Sequence, residues 1–221
     1  MNFSLYLPLI ASILIVVVFF IVIKLCVKSL NFFHSVLACV LGLLAVIPIT
    51  AVQFFIEQKN LLQASTLPAV LLKALILNGI IEESFKMILL FFLPYKKMNI
   101  NSFLACGLLC GLSLACFENI VYFLSGSTSL ELRFFTSVII HTACCGLSSL
   151  FVYSIRVKKL SVLPFVWAFL LHGVYDYFAG FKLSNFFFYI SFVVVLISIL
   201  ECRIRFLRLR DKIDRTDAVI E

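Results

Sequence analysis

The sequence predicts an all-α membrane protein: a bundle of about seven transmembrane helices, with its N-terminus outside and its C-terminus in the cytoplasm. Of 221 residues, 63% are hydrophobic and few are charged, 18 basic and 11 acidic. The mean hydropathy of +1.16 is far above that of a soluble domain. The apolar residues form seven long runs, and most of the basic residues lie in alternate connections between the runs and in the tail. Soluble, disordered, collagen-like and small disulfide-framework proteins are thereby excluded.

Each predicted span is close in length to the roughly 20 apolar residues that cross a hydrocarbon core about 30 Å thick. The spans cover 5–23, 35–56, 68–93, 102–124, 134–155, 161–181 and 183–200. The first run has neither a preceding basic region nor a small-residue cleavage site, which favours a retained span over a signal peptide. We expect one transmembrane domain over 1–202, followed by a basic cytoplasmic tail over 203–221.

The basic residues predict the orientation. Thirteen of them fall on one side, in alternate connections and in the tail. Lys59, Arg133 and Lys182 fall on the other side. The positive-inside rule then places the N-terminus outside and requires an odd number of spans. The net charge of +7 needs no nucleic acid, because a basic tail suits the anionic lipids of the inner leaflet.

Small residues in the fourth span predict close helix packing. Gly107 and Gly111 form a small-xxx-small pair, which lets a neighbouring backbone approach. The eight cysteines contain no Cys-x-x-Cys pair, so we interpret them as small apolar packing residues. Cys145, one helical turn after His141, remains an alternative thiolate ligand.

Three charged residues lie close together in the middle of the third predicted span: Glu82, Glu83 and Lys86. A charge near the bilayer centre costs roughly 2.5 to 3.5 kcal/mol even on the gentler insertion scale, so charged groups there are functional candidates. On a helix Lys86 can reach either glutamate, so it can neutralise one carboxylate while the other stays available. The alternative is a structural salt bridge in a bent or shallow helix.

The next three spans carry the other intramembrane candidates. Glu118 and Asn119 lie in the fourth span, His141 in the fifth, and His172 and Asp176 in the sixth. His172 and Asp176 share a face one turn apart, which allows two ligands to one metal ion or a carboxylate that orients the imidazole. The alternatives are an interhelical hydrogen bond for Glu118 and a packing role for His141.

Depth provides an independent criterion, because side chains from different helices converge only at similar heights. A rise of 1.5 Å per residue places Glu118, His141, His172 and Asp176 roughly 8 to 14 Å below the outer boundary. Glu82 joins this layer at about 12 Å if its hydrophobic stretch begins at residue 74. A start at residue 68 would place it at about 21 Å. The candidates can therefore meet in the outer half of the membrane.

Two histidines, an acidic ligand and a further carboxylate are the groups that metal-assisted hydrolysis requires. A metal ion activates bound water, and a carboxylate takes the proton as the water attacks a carbonyl. Peptide bonds are the natural substrate class inside a membrane, since a protein span can present its backbone there once it is locally unwound.

Four motifs in this order resemble the PrsW family of intramembrane proteases. They are Glu-Glu-x-x-Lys at 82–86, Phe-Glu-Asn-x-x-Tyr at 117–122, an isolated His at 141 and His-x-x-x-Asp at 172–176. They lie on consecutive predicted spans and define a motif-bearing core over residues 68–181. The family looks related to the type II CAAX prenyl endopeptidases and to the Aph-type scaffold subunit of γ-secretase.

The resemblance implies an enzyme, a multi-pass protease of the bacterial cytoplasmic (inner) membrane. Its substrate would be a membrane-anchored protein, and the family's name-giving activity is the first, extracytoplasmic cut in an anti-sigma factor. Among the catalytic residues, the resemblance implies Glu82 or Glu83 as the general base. Lys86 and Asn119 would position or polarise the reacting groups.

The resemblance also implies a metal site. His141 and His172 would be ligands, and either Glu118 or Asp176 would be the third. The expected cofactor is a divalent metal ion, zinc in particular. Catalysis by glutamate-activated water alone is the alternative that the residue spacing leaves open.

Two non-proteolytic functions remain as alternatives. A membrane scaffold would use the polar residues to hold helices or a partner together, as the γ-secretase relative does. An ion or proton transporter would use them as a relay, although it would also be expected to have broken helices in repeated halves. The substrate, oligomeric state and regulation are not encoded in any motif that we find.

Overall fold

The computed structural model describes residues 3–124 and 130–220, and in this part of the chain it is entirely helical, without strands. Within these ranges the bundle has eight α-helices: α1 (Phe3–Cys26), α2 (Phe32–Gln58), α3 (Leu67–Ala74), α4 (Glu83–Leu90), α5 (Ile100–Leu124), α6 (Leu130–Arg156), α7 (Leu163–Ala179) and α8 (Phe186–Ile220). A π-helix, Leu75–Glu82, joins α3 to α4, and a 3₁₀ turn, Tyr95–Lys97, follows α4. The connection at 125–129, the side chain of Arg133 and the tail residue Glu221 lie outside the described residues.

Each predicted span coincides with helix, which confirms the all-α class. Within the described residues, four helical stretches are long and apolar enough to cross a membrane: Phe32–Gln58, Ile100–Tyr122, Phe135–Arg156 and Phe186–Arg215. A shorter apolar stretch, Ser12–Cys26, lies in α1. Seven crossings and the orientation of the bundle stay predictions.

Helices α5 and α6 form the centre of the bundle. In each of them, 78% of the residues in the most apolar stretch are buried inside the protein, compared with 33% in α2 and in α8. The outer helices expose many large apolar side chains, as expected for surfaces in contact with lipid. Residues of α5 and α6 can therefore be held inside protein, whereas one face of α2 or α8 cannot.

The third predicted span is not one regular α-helix. It is divided into α3, the π-helix and α4, and α4 ends at Leu90. Where the π-helix gives way to α4, the backbone N–H of Glu83 points to the carbonyls of Gly79 and Ile80. A π-helix has more residues in each turn, so successive side chains are separated by a smaller angle than in an α-helix. Glu82 and Glu83 lie where this segment ends.

Glycines allow the helices that carry the site to touch at the backbone. A Cβ atom on Gly173 of α7 would lie 2.7 Å from Cα of Leu75 in the π-helix. A Cβ atom on Gly79 would collide with the carbonyl oxygen of Phe169 in α7. The predicted packing role of Gly111 is also confirmed, since its Cβ would meet the His141 carbonyl and lie 2.7 Å from Cβ of Cys145. Backbone contact thus fixes the spacing within two helix pairs, α7 with the π-helix and α5 with α6.

The basic end of the bundle is tied together by hydrogen bonds to main-chain carbonyls. Arg156, at the end of α6, donates to the Phe91 carbonyl over 2.7 Å, and its guanidinium lies 5.1 Å from the ring centre of Tyr95. Lys212 donates to the Leu160 carbonyl over 3.0 Å. The predicted basic tail is thus helical where it is described, is continuous with α8 and contacts the α6–α7 connection.

We expect Gly173→Ala to lower the free energy of unfolding by about 1–3 kcal/mol, because the added methyl group must displace the Leu75 backbone. Chemical unfolding of the purified chain in detergent, followed by circular dichroism, measures the change. Gly180→Ala is the matched control: Gly180 caps α7, and its Cβ would meet its nearest neighbours at an ordinary 3.4 Å. Equal stability of the two variants would contradict the backbone contact.

Candidate active site

A buried cluster of acidic and basic side chains lies between the π-helix, α4, α5, α6 and α7. The sequence analysis singled out eight candidate residues. In the structure, direct contacts involve seven of them: Glu82, Glu83, Lys86, Glu118, His141, His172 and Asp176. The eighth, Asn119, is buried on α5 beside Glu118. Residues that are up to 94 positions apart in the chain thus share one site.

Glu83 is completely buried, and both of its oxygens accept hydrogen bonds. Lys86 Nζ donates to Oε1 over 2.8 Å, and His172 Nδ1 lies 2.9 Å from the same oxygen. Ser148 of α6 donates to Oε2 over 2.9 Å. Glu83 therefore links α4 to α6 and α7, and its carboxylate is fully engaged by protein groups.

Glu82 has a different environment from its neighbour. Gln53 of α2 donates from Nε2 to Glu82 Oε1 over 3.1 Å, and to the Leu77 carbonyl in the π-helix over 3.2 Å. The other oxygen, Oε2, lies 3.6 Å from Lys86 Nζ, 3.8 Å from His172 Nε2 and 3.9 Å from His141 Nδ1. Glu82 Oε2 therefore faces both histidines and makes no short bond to either.

Each histidine is held by a carboxylate at one ring nitrogen and faces Glu82 with the other. His141 Nε2 lies 2.7 Å from Glu118 Oε2, and His172 Nδ1 lies 2.9 Å from Glu83 Oε1. The two rings meet edge to face with their centroids 4.6 Å apart. A carboxylate on the far nitrogen fixes both the ring orientation and the tautomer of an imidazole, as it does behind many metal-binding histidines.

Lys86 supplies positive charge to the centre of the cluster. Its completely buried ammonium group lies 2.8 Å from Glu83 Oε1 and 3.0 Å from His141 Nδ1. The cluster contains four carboxylates, those of Glu82, Glu83, Glu118 and Asp176, and one ammonium group. With neutral histidines it therefore carries excess negative charge in a low-dielectric region, and such an environment favours a bound cation.

The cluster is most accessible at Glu118, whose side chain is 26% exposed, compared with 9% for Glu82 and 0% for Glu83. Asp176 is 11% exposed, and its Oδ2 lies 3.3 Å from His172 Nε2. Water can therefore approach from the side of the cluster that Glu118 borders, while Glu83 lies behind the histidines.

Three side chains offer the donor set of a metal site. One ligand atom from each of Glu82, His141 and His172 lies within 4.8 Å of the other two. Nε2 of His172 is buried and has no hydrogen bond of acceptable geometry within the described residues. Two imidazole nitrogens and a carboxylate oxygen are a common zinc ligand set, so these residues fit a divalent ion.

Two residues of this site, Gln53 and Ser148, were not predicted from the sequence. Gln53 and Ser148 are neutral polar residues inside predicted spans, where such side chains are common and do not by themselves indicate a site. The one available signal was that Gln53 carries a primary amide in an otherwise apolar run.

A helical bundle with membrane-length helices and a buried His/carboxylate cluster defines an integral membrane protein with a possible metal site. The sequence matches the description PrsW family intramembrane metalloprotease over residues 32–200, which include every predicted site residue. The chain belongs to the PrsW family of intramembrane metalloproteases. No curated protein and no solved structure matches the chain.

We expect Gln53→Leu to lower the free energy of unfolding by about 1–3 kcal/mol, because the Leu77 carbonyl and the Glu82 carboxylate each lose a donor. Chemical unfolding in detergent checks the value. Gln58→Leu, an exposed position near the end of the same helix, is the matched control. A loss for Gln53→Leu no larger than that of the control would show that the two hydrogen bonds do not hold the π-helix.

Proposed function

We propose that the chain is a metal-dependent endopeptidase that hydrolyses a peptide bond in a membrane-anchored protein. The observation that carries this proposal is the convergence of Glu82, His141 and His172 on one buried point, with each histidine backed by a carboxylate. Membership of a metalloprotease family supports the same reaction class. The proposed substrate is a peptide segment close to, or locally unwound within, the membrane.

We assign Glu82, His141 and His172 to hold a divalent ion, with zinc as the expected metal. When bound, such an ion makes a water molecule a nucleophile at neutral pH and polarises the scissile carbonyl. Glu83 is then a positioning residue, since both its oxygens are engaged and it orients His172. Glu118 orients His141 in the same way.

Asp176 is our choice for the group that takes the proton of the attacking water. Its Oδ2 lies 3.3 Å from His172 Nε2, beside the proposed ligands, and Asp176 is more exposed than Glu82. A carboxylate in this position can accept the proton and deliver it to the leaving amine. Asn119, buried beside Glu118, is assigned to positioning, and Lys86 offsets the charge of Glu82 and Glu83.

For the membrane arrangement we propose seven crossings with the N-terminus outside, in the cytoplasmic membrane of a bacterium. The asymmetry of basic residues between alternate connections supports this orientation. The cluster then lies in the outer half of the bilayer, and a cut on the extracytoplasmic side, such as that in an anti-sigma factor, is the activity that fits.

A scaffold is the second candidate, and one observation favours it. Glu83, Lys86, His172 and Ser148 form a hydrogen-bonded network that links α4, α6 and α7 without any added ion. Such a network can serve to hold helices together. The two functions differ in metal content and in turnover.

We expect the reconstituted wild-type chain to bind about one zinc ion and to cleave one or more members of a panel of single-span proteins. Glu82→Gln, His141→Ala and His172→Ala should each lower zinc affinity at least about tenfold and nearly abolish cleavage, since each removes a proposed ligand. Asp176→Asn should retain zinc and lose about 10²- to 10⁴-fold in turnover. Metal analysis and single-turnover cleavage measure the two effects.

His34→Ala is the matched control, because His34 lies in the first turn of α2 and outside the cluster. It should change neither zinc content nor cleavage. Normal folding of all variants combined with unchanged cleavage in both cluster histidine variants would contradict the metal site. Wild-type protein that binds no metal and cleaves nothing in the panel would favour the scaffold.

The orientation is tested by inserting a short epitope into the full-length chain. Insertions after Lys59 and after Lys182 should be detected by antibody on intact spheroplasts, because these connections are predicted outside. Insertions after Lys97 and after Lys158 should be detected only after permeabilisation. If the Lys59 and Lys97 insertions behave alike, the segment between them does not cross the membrane.

A further inference from the structure

A second concave site lies on another side of the bundle. This groove has a volume of about 1060 Å³ and is lined by α1, α5, α6, α8 and the connection after α1. No residue of the Glu82–His141–His172 cluster lines it. The groove shares α5 and α6 with the proposed active site but receives no side chain from the π-helix, α4 or α7.

The lining of this groove is chemically divided along its length. Phe19, Val22, Leu104, Leu108 and Val138 line one part, which is apolar. The other part contains three basic side chains together with small polar ones. These are Lys28, Ser29, Asn101, Arg203 and Arg210.

The basic end of the groove combines three positively charged side chains, all of them exposed. Lys28, Arg203 and Arg210 come from two separate segments of the chain and line the same groove. Arg203 and Arg210 lie on either side of Phe206 in sequence, with guanidinium carbons 6.0 and 5.7 Å from its ring centre. The carboxylate of exposed Asp211 lies 3.7 Å from Arg210 and offsets part of this charge. Positive charge therefore predominates.

The apolar part of the groove fits within a single leaflet. On α1 this part extends about 10 Å from Phe19 to Cys26, given a rise of 1.5 Å per residue. One leaflet contributes about 15 Å to the hydrocarbon core. We propose that the groove binds one anionic glycerophospholipid, with its phosphate at Lys28, Arg203 and Arg210 and an acyl chain along the apolar part.

The lining is less suited to the other possible occupants. A substrate span would have to present its peptide bond to the cluster, and no cluster residue lines the groove. A second copy of the chain would need a negatively charged segment to meet the three basic residues, whereas the connections and tail of this chain are mostly basic. The phosphate of a lipid satisfies the charge, and its acyl chain satisfies the apolar surface.

The test is a lipid titration of the purified full-length chain in detergent, with bound lipid resolved by native mass spectrometry. Phosphatidylglycerol and phosphatidylcholine are the two probes, and they differ in headgroup charge. We expect one phosphatidylglycerol per chain, bound at least about tenfold more tightly than phosphatidylcholine. The Arg203→Gln/Arg210→Gln double variant should weaken phosphatidylglycerol binding about 30-fold, since each basic group contributes roughly fivefold.

Two further variants make the test specific. Arg208→Gln removes a basic residue of the same helix that does not line the groove, and it should change the affinity less than about twofold. Val22→Trp fills the apolar part at an exposed position and should weaken both lipids. Equal affinity for the two lipids, or equal effects of Arg208→Gln and the double variant, would overturn the proposal. So would a dimer that forms in place of lipid binding and is lost in Val22→Trp. None of these measurements depends on proteolysis.

Discussion

The carboxylate of Glu83 is the group around which the polar cluster is organised. It is fully buried, and it accepts hydrogen bonds from Lys86, from His172 on α7 and from Ser148 on α6. An unpaired charge in this position would cost several kcal/mol, so removal of one partner destabilises the others. The same bonds fix the imidazole of His172 so that its Nε2 faces Glu82. The packing of the helices and the geometry of the site therefore depend on one ionised side chain.

Backbone contact explains how such a cluster can be assembled from separate helices. Gly79 and Gly173 let the π-helix and α7 touch, and Gly111 lets α5 touch the carbonyl of His141. Lipid tails are as apolar as the helices, so van der Waals contact and interhelical hydrogen bonds drive such packing instead of the hydrophobic effect. The cluster supplies the hydrogen bonds, and the glycines supply the contact. The association of these helices therefore depends on both the hydrogen bonds and the backbone contacts.

The helices and the members of the cluster could be predicted from the sequence because both depend on strong signals. Long apolar runs identify the helices, and Glu82 or His172 is conspicuous inside such a run. The different environments of Glu82 and Glu83 could not be predicted, since either glutamate is within reach of Lys86 on a regular helix. The π-helix has no sequence signature of its own, and Gln53 and Ser148 resemble ordinary packing residues. Those features arise from tertiary contacts, which spacing along one helix does not encode.

Charge balance connects the protease and the scaffold hypotheses. Four carboxylates and one lysine need further positive charge, which a divalent ion can supply. Without an ion, the hydrogen bonds of Glu83 to Lys86, His172 and Ser148 would still make a structural network. A divalent ion requires the inward nitrogens without protons, and the carboxylates behind the rings favour that arrangement by keeping the remaining proton on the outer nitrogen. Because Glu82 is the carboxylate whose Oε2 faces both inward nitrogens, it is the residue at which the two states differ most.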